Sequence, residues 1–150
     1  MKYLRKNISF QEVPNEISLA YEITGCDVGC KLCHSKELWD PSNGIVLTNE
    51  ILIRDITKYK DLITTVLFLG GEWYESDLCE KLDIINKFTL KTCLYTGRNK
   101  ISDTIKNKLT YVKLGPFIQH RGAITEKTTN QRFINTQTNE DLTHLFWSKK

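Results

Sequence analysis

Residues 17–33 read Ile17-Ser-Leu-Ala-Tyr-Glu-Ile-Thr-Gly-Cys-Asp-Val-Gly-Cys-Lys-Leu-Cys33. The first eight alternate in period two, with Ile17, Leu19, Tyr21 and Ile23 on one side, as a β-strand distributes its side chains. The strand runs into Gly25 and then into three cysteines spaced CxxxCxxC: Cys26, Cys30 and Cys33. A strand that ends directly in a glycine and a chemically equipped loop raises one question for the rest of the chain. Do the other strands end the same way?

They do. Thr64-Thr-Val-Leu-Phe-Leu69 is a continuous apolar run of strand formers, expected for a strand covered on both faces, and it ends in Gly70-Gly71-Glu72. Lys91–Thr96 ends in Gly97-Arg98, and Tyr111–Leu114 ends in Gly115-Pro116. Between these runs lie amphipathic stretches. Thr48 caps a helix predicted through about Lys60, with Leu52, Ile56 and Tyr59 on one face. Ser76 is expected to cap a helix through about Lys87 with Leu78, Leu82 and Ile85 as its stripe, and Ser102 to open a short helix ending near Lys108. A short helical piece is expected around His34–Trp39, stopped by Pro41-Ser-Asn-Gly44. Past Leu114 the pattern weakens: Phe117–Thr138 is mostly polar, and Asn139–Trp147 is read as a short final helix.

Strand–helix alternation predicts an α/β fold with a parallel sheet and crossover helices. Four successive strands then place their loops at one end of the sheet, where barrel-type α/β proteins build their active sites. The 150 residues fall short of the roughly 200 or more of a closed eight-stranded barrel, so an open, partial (β/α) barrel is expected, as a single domain over residues 1–150.

Composition narrows the function classes. Apolar residues make up 40% and charged residues 26%, ordinary for a globular chain. The net charge of +3 is too weak for the dense basic patch that nucleic-acid binding usually shows. No run approaches the ~20 apolar residues of a membrane span, and Glu22 interrupts the only early apolar stretch, so no signal peptide is read. A soluble, cytoplasmic protein is expected. Five cysteines, odd in number and three of them clustered, argue for thiol or metal chemistry in a reducing compartment rather than a disulfide framework.

A compact loop flexible at Gly25 and Gly29 can wrap three thiolates around an iron–sulfur cube, leaving one iron open. Thiolate softness suits iron–sulfur or zinc over hard cations. The competing reading is a structural zinc site completed by His34, Cys79 or Cys93, although no second CxxC-like pair is present. Three unliganded thiols are the third reading.

CxxxCxxC after the first of these strands, with Gly70-Gly71-Glu72 after the next, resembles the radical S-adenosylmethionine superfamily. Leu32 stands where an aromatic often precedes the third cysteine, and Trp73 where proline often follows the GGE. The resemblance implies a [4Fe-4S] cluster on Cys26, Cys30 and Cys33. Its open iron would bind the amino and carboxylate groups of S-adenosylmethionine, and the Gly70–Glu72 loop would help hold the amino group. One electron from the reduced cluster would then cleave the sulfonium to methionine and a 5′-deoxyadenosyl radical.

Within that superfamily the chain is similar to the activating proteins of anaerobic (class III) ribonucleoside-triphosphate reductases. The matching stretches are Phe10–Leu19, Cys33-His34-Ser35, Tyr95-Thr-Gly-Arg98, Lys113–Phe117 and Thr129-Asn-Gln-Arg132. This resemblance implies generation of a glycyl radical on the partner reductase, with a flavodoxin-like electron donor. It places Leu32 and His34 beside the third ligand, near adenine or ribose, and Thr96, Arg98 and Lys113 at strand ends near ribose or carboxylate. The Asn130-Gln131-Arg132 triplet would serve the partner or close the C-terminal segment.

Alternatives stay open at these positions. His34 equally suits a helix cap, Arg98 a surface ion pair, Lys113 a site contact only in one strand register, and Asn130–Arg132 a turn. Cys79 and Cys93 read as small buried hydrophobes, His120 and His144 as structural, and Trp39 and Trp147 as core or interface. Rival functions are a formate-lyase-type activase, a 7-carboxy-7-deazaguanine synthase-like enzyme and a non-catalytic zinc-binding module.

Overall fold

The computed structural model describes residues 1–27 and 36–147. Seven strands form one sheet in the order β3-β1-β2-β4-β5-β6-β7. They are β1 (Lys2–Ser9), β2 (Ser18–Ile23), β3 (Ile45–Val46), β4 (Thr65–Leu69), β5 (Lys91–Tyr95), β6 (Tyr111–Leu114) and β7 (Arg132–Asn135). The centre is parallel: β2, β4, β5 and β6 run together, with Leu19 opposite Val66, Leu67 opposite Cys93 and Leu94 opposite Val112. Both flanks are antiparallel, β1 and β3 on one side and β7 on the other.

Parallel neighbours need a crossover, and the helices supply it. Helix α1 (Asn49–Tyr59) precedes β4, α2 (Glu75–Lys87) links β4 to β5, and α3 (Asp103–Lys106) links β5 to β6; α4 (His144–Trp147) closes the described chain. Thr48 caps α1 as expected, its hydroxyl accepting the Ile51 N–H at 3.1 Å. Ser102 does the same for α3 through Ile105 N–H at 3.3 Å, but that helix stops at Lys106.

Strand alternation splits the core in two. Leu19, Tyr21, Ile23, Val66, Phe68 and Leu94 pack under Leu52, Ile56, Leu78, Leu82 and Ile85 of the helices. Ala20, Leu67, Cys93, Tyr95 and Phe133 face the other way and are covered by Val13, Ile124 and Phe146. Burial on both faces is why Thr65–Leu69 has no polar alternation.

Five features differ from the sequence reading or were not read from it. The basic N-terminal stretch is a strand, β1, whose exposed Arg5, Lys6 and Asn7 hide the strand signal. Ser76 does not cap α2: the helix begins one residue earlier, because a 3₁₀ turn over Glu72–Tyr74 feeds straight into it. The polar segment after Leu114 contains β7, which pairs Arg132 with Leu114 and Phe133 with Lys113. The final helix covers only His144–Trp147, preceded by Asn139 in a left-handed conformation (φ 61°). The short helical piece before Pro41 is a 3₁₀ turn over Lys36–Trp39.

Candidate functional site

Because β2, β4, β5 and β6 are parallel, their four following loops gather at one edge of the sheet. Gly25 and Cys26 leave β2 with both N–H groups donated to the Leu38 carbonyl, at 2.7 and 3.1 Å. Gly70 leaves β4 with its N–H on the Tyr95 carbonyl at 2.8 Å. Trp73 joins these two loops. Its indole N–H donates to the Thr24 carbonyl at 3.0 Å, and its ring lies where a Cβ on Gly70 (φ +89°) would stand, 2.5 Å away. A Cβ on Gly25 (φ +94°) would meet the indole nitrogen at 2.9 Å. Only glycine meets both the left-handed φ and this approach, so the tryptophan in the usual proline position is packed between the two loops.

A cavity of about 250 Å³ opens here, lined by Cys26, Gly70, Thr96, Lys113 and Gln131 among the apolar walls of Ile23, Leu38, Trp39, Leu69, Trp73, Tyr95 and Phe117. The Lys113 ammonium sits 4.3 Å from the Tyr95 ring centroid, a cation–π contact. Lys113 forms no ion pair among the described residues, and burial pushes its ammonium below the usual lysine range. A cation in an apolar-walled cavity suits an anionic ligand group. Tyr95 is itself held by its hydroxyl, which donates to the Glu12 carbonyl.

Glu72 is 8% exposed, in the 3₁₀ turn that Gly71 starts. Its Oε2 accepts the Arg98 Nε–H at 3.2 Å, while its Oε1 is buried with no hydrogen-bond partner among the described residues. Burial pushes the Glu72 carboxyl above the usual range, against the opposite pull of Thr96 and Arg98. Arg98 also pairs with Asp27 of the cysteine loop. Glu72 and Arg98 do not line the first cavity; with Glu75, Lys100, Ser102 and Asp103 they line a second, charged cleft of about 520 Å³.

The Asn130-Gln131-Arg132 triplet divides its work. Asn130 Nδ2 donates to the Pro116 carbonyl at 3.0 Å and Gln131 Nε2 to the Gly115 carbonyl at 3.2 Å, stitching the entry of β7 to the loop after β6. Gln131 also lines the first cavity. Arg132 turns back to the Thr129 and Gln131 carbonyls and stays away from it. Cys30, Leu32, Cys33 and His34 lie outside the described residues. Cys93 is fully buried in the second core and Cys79 half-buried on α2; neither lines the cavity beside Cys26. Trp39 does line it, and so does Tyr95, whose signal was its position as the last residue of β5 on the face opposite Leu94.

A family model described as a 4Fe-4S single cluster domain matches residues 17–114, about two thirds of the chain. The chain belongs to that family. The match opens just before β2 and ends with β6, so it spans the four parallel strands and the loops after the first three of them. No curated protein matches the chain. Membership supports a 4Fe-4S cluster as cofactor, compatible with a redox enzyme. Among the described residues, no helix is long and apolar enough to cross a membrane.

Proposed function

We propose that the chain is a radical S-adenosylmethionine enzyme that activates an anaerobic ribonucleoside-triphosphate reductase by installing a glycyl radical on it. The observation that carries the reading is Glu72, which follows β4 at the same sheet edge as Cys26 but lines the second, charged cleft, as a buried carboxylate that keeps one oxygen without a partner among the described residues. A buried, half-satisfied carboxylate calls for a donor, and a ligand ammonium is the donor that chemistry fits best. Burial holds the Cys93 thiol well above, and the Cys79 thiol above, the usual range. A metal ligand must be the thiolate. That favours Cys26, Cys30 and Cys33 as the cluster ligands over the other two.

In this reading the parallel centre of the sheet is the open, partial (β/α) barrel, and its loops carry the cofactor platform. Glu72 receives the ligand's ammonium, with the left-handed Gly70 and Gly71 letting backbone approach it. Lys113 offers the cation for a carboxylate, and Thr96 a hydroxyl at the end of β5. Trp39, Phe117 and Tyr95 supply apolar walls that exclude water. Leu32 and His34 stand beside the third cysteine. Cys26, Cys30 and Cys33 would hold the cluster, which when bound and reduced would supply the electron for cleavage of S-adenosylmethionine to the 5′-deoxyadenosyl radical that would take a hydrogen atom from a glycine of the reductase. The inner sheet face is already covered by Val13, Ile124 and Phe146, so the protein substrate reaches the cavity from the strand ends. A flavodoxin-like protein supplies the electron.

The test mixes the anaerobically prepared protein with a class III reductase, S-adenosylmethionine and a reductant. A glycyl radical signal in electron paramagnetic resonance, absent when Glu72→Ala replaces the wild type, supports the reading. Cofactor cleavage without any radical on the reductase would assign the chain to another radical S-adenosylmethionine reaction.

A further inference from the structure

We infer that Arg98 is a positioning residue, a clasp that holds the loop of the first cysteine against the buried Glu72 turn. Its guanidinium meets two carboxylates from different loops: Glu72 Oε2, 3.2 Å from Nε, and Asp27 Oδ1 on NH2. Its backbone is fixed independently, because its N–H donates to Thr96 Oγ1 at 3.0 Å and its carbonyl accepts the Gly115 N–H at 2.7 Å. One residue therefore ties the ends of β5 and β6 through its main chain and the loops after β2 and β4 through its side chain. Arginine suits the task, since its planar fork addresses two acceptors at once and its charge does not titrate away. Glu72 needs that charge, being nine-tenths buried, whereas the Asp27 side chain is mostly exposed. Asp27 is also the residue next to Cys26, so fixing it fixes the direction in which the first cysteine leaves the sheet. The inference rests on Cys26 belonging to the cluster-bearing loop for its functional meaning, but not for its geometry.

The experiment uses the full chain in two states. In protein free of iron, amide hydrogen exchange is followed at Gly25 and Cys26, with amides of helix α2 as the internal standard. Arg98→Ala and Asp27→Asn are each expected to speed exchange at Gly25 and Cys26 by about two- to fivefold, the scale of a partly exposed ion pair. The double variant should be no faster than Arg98→Ala alone, because that change already removes the Asp27 contact. Arg98→Lys should recover part of the protection, and α2 should not change. Asp27→Asn alters an exposed side chain and keeps the test open should Arg98→Ala fail to fold. In cluster-loaded protein, iron release to a chelator should accelerate in the same order of variants. Exchange at Gly25 and Cys26 unchanged in both single variants, or additive in the double one, would overturn the clasp. If the wild type never holds a cluster, the iron–sulfur reading fails while the exchange result still decides the clasp.

Discussion

Gly70→Ala probes the loop that joins the two strand ends. The residue sits at φ +89°, where an L side chain is strained by about 1–2 kcal/mol. Its new Cβ would lie 2.5 Å from the Trp73 ring, about 1 Å inside ordinary carbon–carbon contact. The indole must move, and its 3.0 Å bond to the Thr24 carbonyl is lost, worth about 0.5–1.5 kcal/mol. The total is about 1.5–3.5 kcal/mol, a fall in Tm of about 3–14 °C for a chain of this size. Gly71→Ala is the control. Its φ is +115°, but a Cβ there meets nothing closer than Ile23 Cγ1 at 3.5 Å, so it should cost only the strain of about 1–2 kcal/mol. Urea unfolding followed by circular dichroism gives both values. In a Trp73→Ala background the excess cost of Gly70→Ala over Gly71→Ala should vanish. Equal costs in the wild-type background, or an excess that survives removal of Trp73, would refute the account of Trp73 as the joint between the two loops.

Three other outcomes are expected. Replacing Cys26, Cys30 or Cys33 with Ala should abolish the iron–sulfur absorbance, whereas Cys79→Ala and Cys93→Ala should keep it. Tyr21→Phe should cost about 1.5–3 kcal/mol in chemical denaturation, the range for a hydrogen bond to a charged group, because the Tyr21 hydroxyl donates to the buried Asp55 carboxylate at 2.8 Å. At Asp141, burial pushes the carboxyl up, but the bonds from Thr143 outweigh it and hold it below the ordinary 3.8. A depressed folded pKa gives stability that is full above the unfolded value and lost as pH falls through the folded one, so wild-type stability should drop below about pH 4 and Asp141→Asn should flatten that drop.

The central strands were legible because burial on both faces leaves a plain apolar run, as at Thr65–Leu69, and because Thr48 and Ser102 announce their helices by capping chemistry. Trp73 set the limit at α2. A 3₁₀ turn wedged in by its indole starts the helix at Glu75 without any side-chain cap, and no local pattern signals that. Strand β1 was obscured because three of its residues, Arg5, Lys6 and Asn7, are exposed, and a basic stretch carries no period. Strand β7 depends on tertiary contacts, the amides of Asn130 and Gln131 on the Gly115-Pro116 loop, and a polar segment gives no sign of such partners in advance. At the site, the sequence named Glu72, Arg98 and Lys113 by position after strands. It did not reveal that Glu72 and Arg98 open on a different cleft from Cys26 and Lys113, since that depends on where each side chain turns once its strand has ended. Cys30, Leu32, Cys33 and His34 lie outside the described residues, and their assignment rests on spacing and resemblance.

The most direct test is anaerobic purification followed by iron and sulfide analysis and incubation with S-adenosylmethionine and dithionite. A brown protein with about four irons per chain is expected, as a single cubane requires, bleached by dithionite and releasing 5′-deoxyadenosine and methionine. A colourless protein holding one zinc, or a four-iron protein that leaves S-adenosylmethionine intact, would contradict the proposed function.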